Sequence, residues 1–209
     1  MDRILTLIAR VVSIAAFASL ALVATAPSAG HRSSPARPDP SPYRCVRDLA
    51  EWRGPSGRTL AFALLGHEHE PRARVIAVYE STSTGWTRRF LDHERGFRPW
   101  SIRLAELDGD SLPEVGVGVY KASRFDPVPR RRLFVFDWTA QGALTPKWLG
   151  SRLAYPFTSF MFQPTGQGRS RLITTETCGR RVVRSVAYGW NGFGFSLADS
   201  STHQPGDVE

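Results

Sequence analysis

Residues 106–120 read Glu106-Leu107-Asp108-Gly109-Asp110-Ser111-Leu112-Pro113-Glu114-Val115-Gly116-Val117-Gly118-Val119-Tyr120. The second half alternates valine with glycine, a period of two that marks a β-strand with one branched face and one bare face. A bare face lets a neighbouring sheet come close. The first half is a tight acidic turn that leads straight into that strand.

The same arrangement recurs on either side. Arg53-Gly54-Pro55-Ser56-Gly57-Arg58-Thr59-Leu60 precedes an apolar run over 60–65, and Thr165-Gly166-Gln167-Gly168-Arg169-Ser170-Arg171-Leu172 precedes another over 172–175. Each unit then carries a second strand and a turn with aromatic residues: 74–79 before Gly85-Trp86, 133–138 before Gly142, and 185–190 before Gly192-Phe193. Trp100, Ile102 and Leu104 alternate with period two as well. After Ala26 no stretch of comparable length has helical periodicity. Short strands at regular spacing with turn signals between them predict an all-β, propeller-blade-like repeat array of about three units. Three units fall short of the four to eight of a closed ring. The array is therefore open, closed by a partial unit, or completed by another copy.

The acidic turn carries the chemistry. Carboxylates at positions 1, 3, 5 and 9 of the turn belong to Glu106, Asp108, Asp110 and Glu114, and the carbonyl of Leu112 adds a backbone oxygen. Calcium takes six to eight oxygen ligands, and alternate side chains of a tight turn converge on one point. Gly109 lets the chain bend there. Left without a cation, the carboxylates repel one another. The alternative is a solvated acidic turn, for which Asp-Gly is a common choice.

This turn resembles the acidic loop of FG-GAP and VCBS-type repeats, found in integrin α-chain propellers and many exported bacterial proteins. Asp108, Gly109, Asp110 and Glu114 match the family's Asp-x-Asp-Gly-Asp-Gly-x-x-Glu loop position by position; Glu106 replaces the first Asp and Ser111 the second Gly. The resemblance implies a propeller-type repeat fold and calcium. The blocks 118–121, 124–127 and 146–153 are similar to exported bacterial proteins that carry one or two such loops, which implies no activity. The corresponding loop of the third unit is degenerate, with Thr165, Gln167 and Arg171 where acids would stand.

The chain of 209 residues has room for one sizeable core. Arg3 and Arg10 precede an uncharged run over 11–26, the marks of a secretory signal. Left uncleaved, residues 4–26 nearly span a bilayer and would be the protein's only membrane contact. Residues 27–43 are a proline-rich spacer, 44–199 the β-repeat domain, and 200–209 a polar tail. Cys45 and Cys178 are either bonded, as an exported chain permits, or two free thiols.

The formal net charge of +8 is nearly all arginine, lysine occurring only at Lys121 and Lys147. The charge is spread out, apart from Arg130-Arg131-Arg132 in an expected loop, so no nucleic-acid partner is predicted. His67-Glu68-His69-Glu70 has the His-x-His spacing of a transition-metal pair, with His93 and Glu94 as the nearest further ligands, but reads better as a polar turn before Pro71. Cys178-Gly179-Arg180-Arg181 would lower a thiol pKa, yet lacks a partnered histidine. No nucleophile elbow, P-loop or His-Glu-x-x-His occurs. The predicted function is an exported, non-catalytic binding or scaffold module of the cell envelope, engaging an envelope protein or glycan, with one calcium loop. The alternative is an envelope hydrolase acting on glycans or lipids through acids such as Asp126 or Asp137.

Overall fold

The computed structural model describes residues 43, 45–92, 96, 98–123, 126–150, 153–165, 168–178 and 182–198, with the side chains of 123, 126, 178 and 182 excepted. The leader, most of the spacer and the C-terminal tail lie outside these residues, as do His93 and Glu94 and the side chains of Asp126 and Cys178. The cysteine pairing and the reactive-thiol reading rest partly on Cys178; Cys45, at the head of the first strand, is a half-buried free thiol.

Twelve strands form three four-stranded antiparallel sheets, and no helix occurs among the described residues. The first sheet holds β1 (Cys45–Arg53), β2 (Thr59–Gly66), β3 (Val75–Thr82) and β4 (Gly85–Leu91); the second holds β5 (Arg98–Ala105), β6 (Glu114–Ser123), β7 (Asp126–Trp138) and β8 (Leu144–Trp148). The third holds β9 (Phe157–Pro164), β10 (Ser170–Cys178), β11 (Val182–Trp190) and β12 (Phe195–Leu197). In each sheet the strands stand in chain order, a meander made by short turns. The three apolar runs that follow the Gly-containing turns are the second strand of each sheet, and the three aromatic-rich runs are the third. The repeat array is thus all-β, blade-like and open.

The first strands hold the sheets together, β5 touching β1 and β2 on one side and β9 on the other. Asp48, beside a bulge in β1, reaches across to β5: its Oδ2 accepts from Ser101 Oγ (3.1 Å), the Ile102 N–H (2.9 Å) and Arg103 (2.9 Å). One carboxylate with three donors in a half-buried seam fixes how the first two sheets meet.

Between those sheets lies the first core, with Leu60, Phe62, Leu64, Ile76 and Val78 against Ile102, Val115, Val117, Val119, Phe136 and Trp138. The buried Trp138 ring takes Phe62 and Phe90 edge-on at 5.5 and 6.2 Å. The second core joins the second and third sheets through Leu133, Val135, Trp148, Phe160, Phe162, Leu172 and Tyr188. Here the bare face of β6 does its part. A Cβ on Gly116 would lie 2.5 Å from the Phe162 ring, and one on Gly118 would lie 2.6 Å from Trp100 and 2.9 Å from Phe160. The glycines let the phenylalanines of β9 lie on the β6 backbone.

Two local readings are corrected. Trp100 sits in a register shift between Pro99 and Ser101, so it packs on the second core while Ile102 and Leu104 face the first. Arg130, Arg131 and Arg132 lie in β7, paired with Lys121, Tyr120 and Val119, rather than in a loop. The Arg131 guanidinium lies 4.8 Å over the Trp100 ring and donates to the Thr158 carbonyl, which offsets its charge in an otherwise exposed hairpin.

Candidate cation site

The acidic turn joins β5 to β6, at the junction of the second and third sheets. Its bend uses left-handed backbone at Gly109 (φ 96°) and Ser111 (φ 65°). Serine is strained in that region, where a glycine would not be. The turn also reaches the third sheet: the Ser170 N–H donates to the Glu106 carbonyl at 2.6 Å, and Arg169 donates to the Asp108 carbonyl at 3.2 Å.

Carboxylate oxygens of Glu106, Asp108 and Glu114 lie within 4.8 Å of one another. Two oxygens on one calcium, each about 2.4 Å from it, can be no farther apart than about 4.8 Å. These three residues therefore fit a shared hard cation. Asp110 does not join them; its Oδ1 accepts from the Leu112 N–H at 2.7 Å. Leu112 enters the turn through that N–H, and the expected ligand set of five is brought together only in part.

The residue that the sequence reading missed is Lys147, on β8. Its Nζ stands 2.5 Å from Asp108 Oδ2, 2.8 Å from Glu114 Oε1 and 2.8 Å from Asp137 Oδ1. The Trp190 ring of β11 closes the far side at 5.8 Å. A compact ammonium has three donors and meets three carboxylates. Arginine, with its planar fork, could not converge on them in the same way. In a chain with only two lysines among its many arginines, a lysine here was the signal available in the sequence.

The electrostatics follow from burial. Glu114 is 2% exposed. Desolvation pushes its carboxyl up to about 7, against the pull of Lys147 and of the Leu107 N–H, which donates to Glu114 Oε2 at 2.7 Å. Asp108 is desolvated too, but Lys147 and the Asp110 N–H hold it below the ordinary range. The three carboxylates hold the Lys147 ammonium well above its usual value, despite partial burial. The Gly109 N–H donates to Glu106 Oε1 at 2.6 Å. Repulsion among the acids is thus relieved by the chain's own cation and by turn N–H groups.

A second buried polar group lies on the same side of the third sheet. Glu176 is fully buried and accepts from Tyr188 Oη and from Thr174 Oγ1 (3.0 Å), with Arg184 3.7 Å away. Burial and this carboxylate raise the Tyr188 phenol well above its usual range. The Tyr188 oxygen in turn accepts from the Ala154 N–H at 3.1 Å. The group pins the segment before β9 against the sheet.

Other candidates resolve simply. The His67 ring lies tilted against Tyr43 with centroids 4.8 Å apart, and its carbonyl accepts from the Glu70 N–H in a turn. In the degenerate third loop, Arg171 bonds Gln163. Asp137 is engaged by Lys147. No helix among the described residues is long and apolar enough to cross a membrane. The chain matches no protein-family model, no curated protein and no solved structure.

Proposed function

We propose that this protein is an exported, non-catalytic binding or scaffold module of the cell envelope, in which calcium competes with Lys147 for the acidic turn. The observation that carries the calcium reading is the convergence of Glu106, Asp108 and Glu114 within 4.8 Å, beside an ammonium already held by two of them. With Asp137 included, the group holds four carboxylates against a single lysine that pairs with three of them, so charge remains for a divalent ion. When calcium binds, Lys147 stays with Asp137 and the turn tightens against β10 through the Glu106 and Asp108 carbonyl contacts.

The scaffold reading is supported by the character of the clefts. One of about 310 Å³ is lined by Arg58, Glu80 and Arg89, and these pair with each other: Arg58 and Arg89 each lie 2.6 Å from Glu80. Another of about 330 Å³ is lined by Glu70, Arg72, Arg74 and Arg98. Neither juxtaposes two acids as glycoside hydrolysis requires. The leader and spacer support export and an envelope protein or glycan as partner.

The test is a thermal melt of chelated protein. Millimolar calcium raises Tm, and magnesium raises it less because it demands a tighter octahedron. Asp108→Asn or Glu114→Gln removes most of that rise. A Tm indifferent to several millimolar calcium leaves Lys147 as the sole cation and overturns the calcium reading.

A further inference from the structure

β6 and β7 outrun the sheet they belong to. β5 pairs with β6 only as far as Tyr120, opposite Arg98, and β8 pairs with β7 only from Val135 onward. The β6–β7 ladder continues past both, from Lys121 with Arg130 to Ser123 with Asp126, as a two-stranded ribbon. A register shift there leaves Pro127-Val128-Pro129 bulged from the ladder. Prolines and a bulge make this edge a poor template for a further strand. What the ribbon presents instead is charge. Val119 is buried in the first core, yet Arg132 stands opposite it, and one period farther out Lys121 stands opposite Arg130. The three cations share a face. Like charges directly opposite each other destabilise a ladder, a cost that an anionic partner would relieve. The Arg132 Nε–H donates to the Lys121 carbonyl at 2.9 Å, which holds that guanidinium across the ribbon. At the ribbon's root, exposed Arg72 and Arg98 line the cleft in which Glu70 is taken up by Arg74 at 2.7 Å. Asp126 is the one acid between Val115 and Phe136. The arginines that look spread out along the chain are thus gathered in space.

We propose that this ribbon docks the protein on an anionic lipid surface. Lys121, Arg130 and Arg132 supply the attraction to the headgroups, with Arg72 and Arg98 as a second basic shoulder. The bulged tip supplies the apolar part: Val128, between its two prolines, is 52% exposed, and Tyr120 at the root is 47% exposed. An apolar tip with cations behind it suits an interface that apolar groups enter by about 5–10 Å while charges stay with the headgroups. The three residues Lys121 to Ser123 advance about 10 Å, enough for that depth. A nucleic acid fits less well. Tyr120 is the one exposed aromatic ring on the described part of the ribbon, so there is no stacking platform. β6 begins at Glu114 and runs ten residues to Ser123, about 33 Å. With the ribbon on lipid, the acidic turn at the far end of the same strand is held well clear of the surface, open to ions in solution. The docking is independent of export and of calcium.

The experiment uses the full chain with Val128→dansylalanine, titrated with lipid vesicles and read by the emission of the label. Vesicles of phosphatidylcholine with phosphatidylglycerol should shift the emission to the blue, and added salt should weaken the response. Phosphatidylcholine alone should leave it unmoved. At about fivefold in affinity per basic residue, Lys121→Gln with Arg130→Gln and Arg132→Gln should raise the lipid needed for half the shift at least tenfold. Arg130→Lys with Arg132→Lys keeps the charge and should respond like the parent. The leader is the same in every variant, so its own insertion cannot produce these differences. No blue shift with the anionic vesicles, an equal shift with the neutral ones, or an unchanged titration in the triple variant overturns the proposal. So does a shift that single-stranded DNA produces at lower phosphate concentration than the vesicles, which assigns the ribbon to nucleic acid.

Discussion

Replacing Lys147 with methionine separates the lysine's structural work from that of calcium. Of its three partners, Asp108 and Asp137 are 38% and 40% exposed at the side chain and rehydrate when the ammonium is lost, whereas Glu114 is 2% exposed and cannot. Removing one member of a buried pair costs about 3–5 kcal/mol. With two partners open to solvent, and with protonation of Glu114 limiting the loss, the lower end applies, about 3 kcal/mol. At about 2–4 °C per kcal/mol for a domain of this size, Lys147→Met should melt about 6–12 °C below wild type in chelator. The same substitution removes calcium's competitor. The variant should respond to lower calcium than wild type and recover about 2.7 kcal/mol at a hundredfold excess over its Kd. Differential scanning calorimetry at pH 8, in chelator and across a calcium series, reads both effects. A chelated variant that melts within a degree or two of wild type would refute the reasoning, because Glu114 would not then need the lysine.

Three further outcomes follow from other contacts. Gly116→Ala places a methyl 2.5 Å from the Phe162 ring and should cost about 1–3 kcal/mol in a denaturant melt. Gly189→Ala, with nothing within 4 Å of the new atom, should be neutral or slightly stabilising; equal losses at both sites would remove the close-approach argument. Tyr188→Phe strips Glu176 of a donor in a fully buried place and should cost about 1–3 kcal/mol, a prediction contradicted by unchanged stability. The last outcome concerns pH. Glu114 titrates at about 7 in the fold against 4.5 in the unfolded chain, so the fold binds that proton more tightly. Through this group, metal-free protein gains stability as the pH falls through about 7 towards 4.5, and beyond that the gain is complete. Calcium needs the ionised carboxylate, so its affinity should fall about tenfold per pH unit below 7. Isothermal titration at pH 7.5, 6.5 and 5.5 decides, and tighter binding on acidification would count against Glu114 as a ligand.

The strand order was legible because it is written locally. A Gly-containing turn before an apolar run marks the second strand of every sheet, and the aromatic hairpin marks the third and fourth. The valine–glycine alternation over 115–119 even announced which face of β6 another sheet would approach. Where the reading failed, a distant contact decided. A bulge at Trp100 breaks the period and sends its ring to the other core. Arg130, Arg131 and Arg132 look like a loop by charge, but ladder pairing and the Trp100 face hold them in β7. Lys147 stands 33 residues from Glu114 and 39 from Asp108, and no local pattern links them. The turn's acids were visible; the cation that the chain supplies for them was not.

The open array gives its three sheets unequal standing in cooperativity. Each end sheet shares a core with one neighbour, but the middle sheet shares a core with both. In a linear array whose stability is a sum of unit and nearest-neighbour terms, an end unit can open alone, while the middle one opens only with a neighbour or after it. Amide exchange should therefore be slowest in β6 and β7 and quicker in β10 and β11. The acidic turn lies on the boundary that third-sheet opening must cross, anchored by the Glu106 and Asp108 carbonyls to residues 169 and 170. An ion held there acts less on the middle sheet than on how often the last sheet lets go.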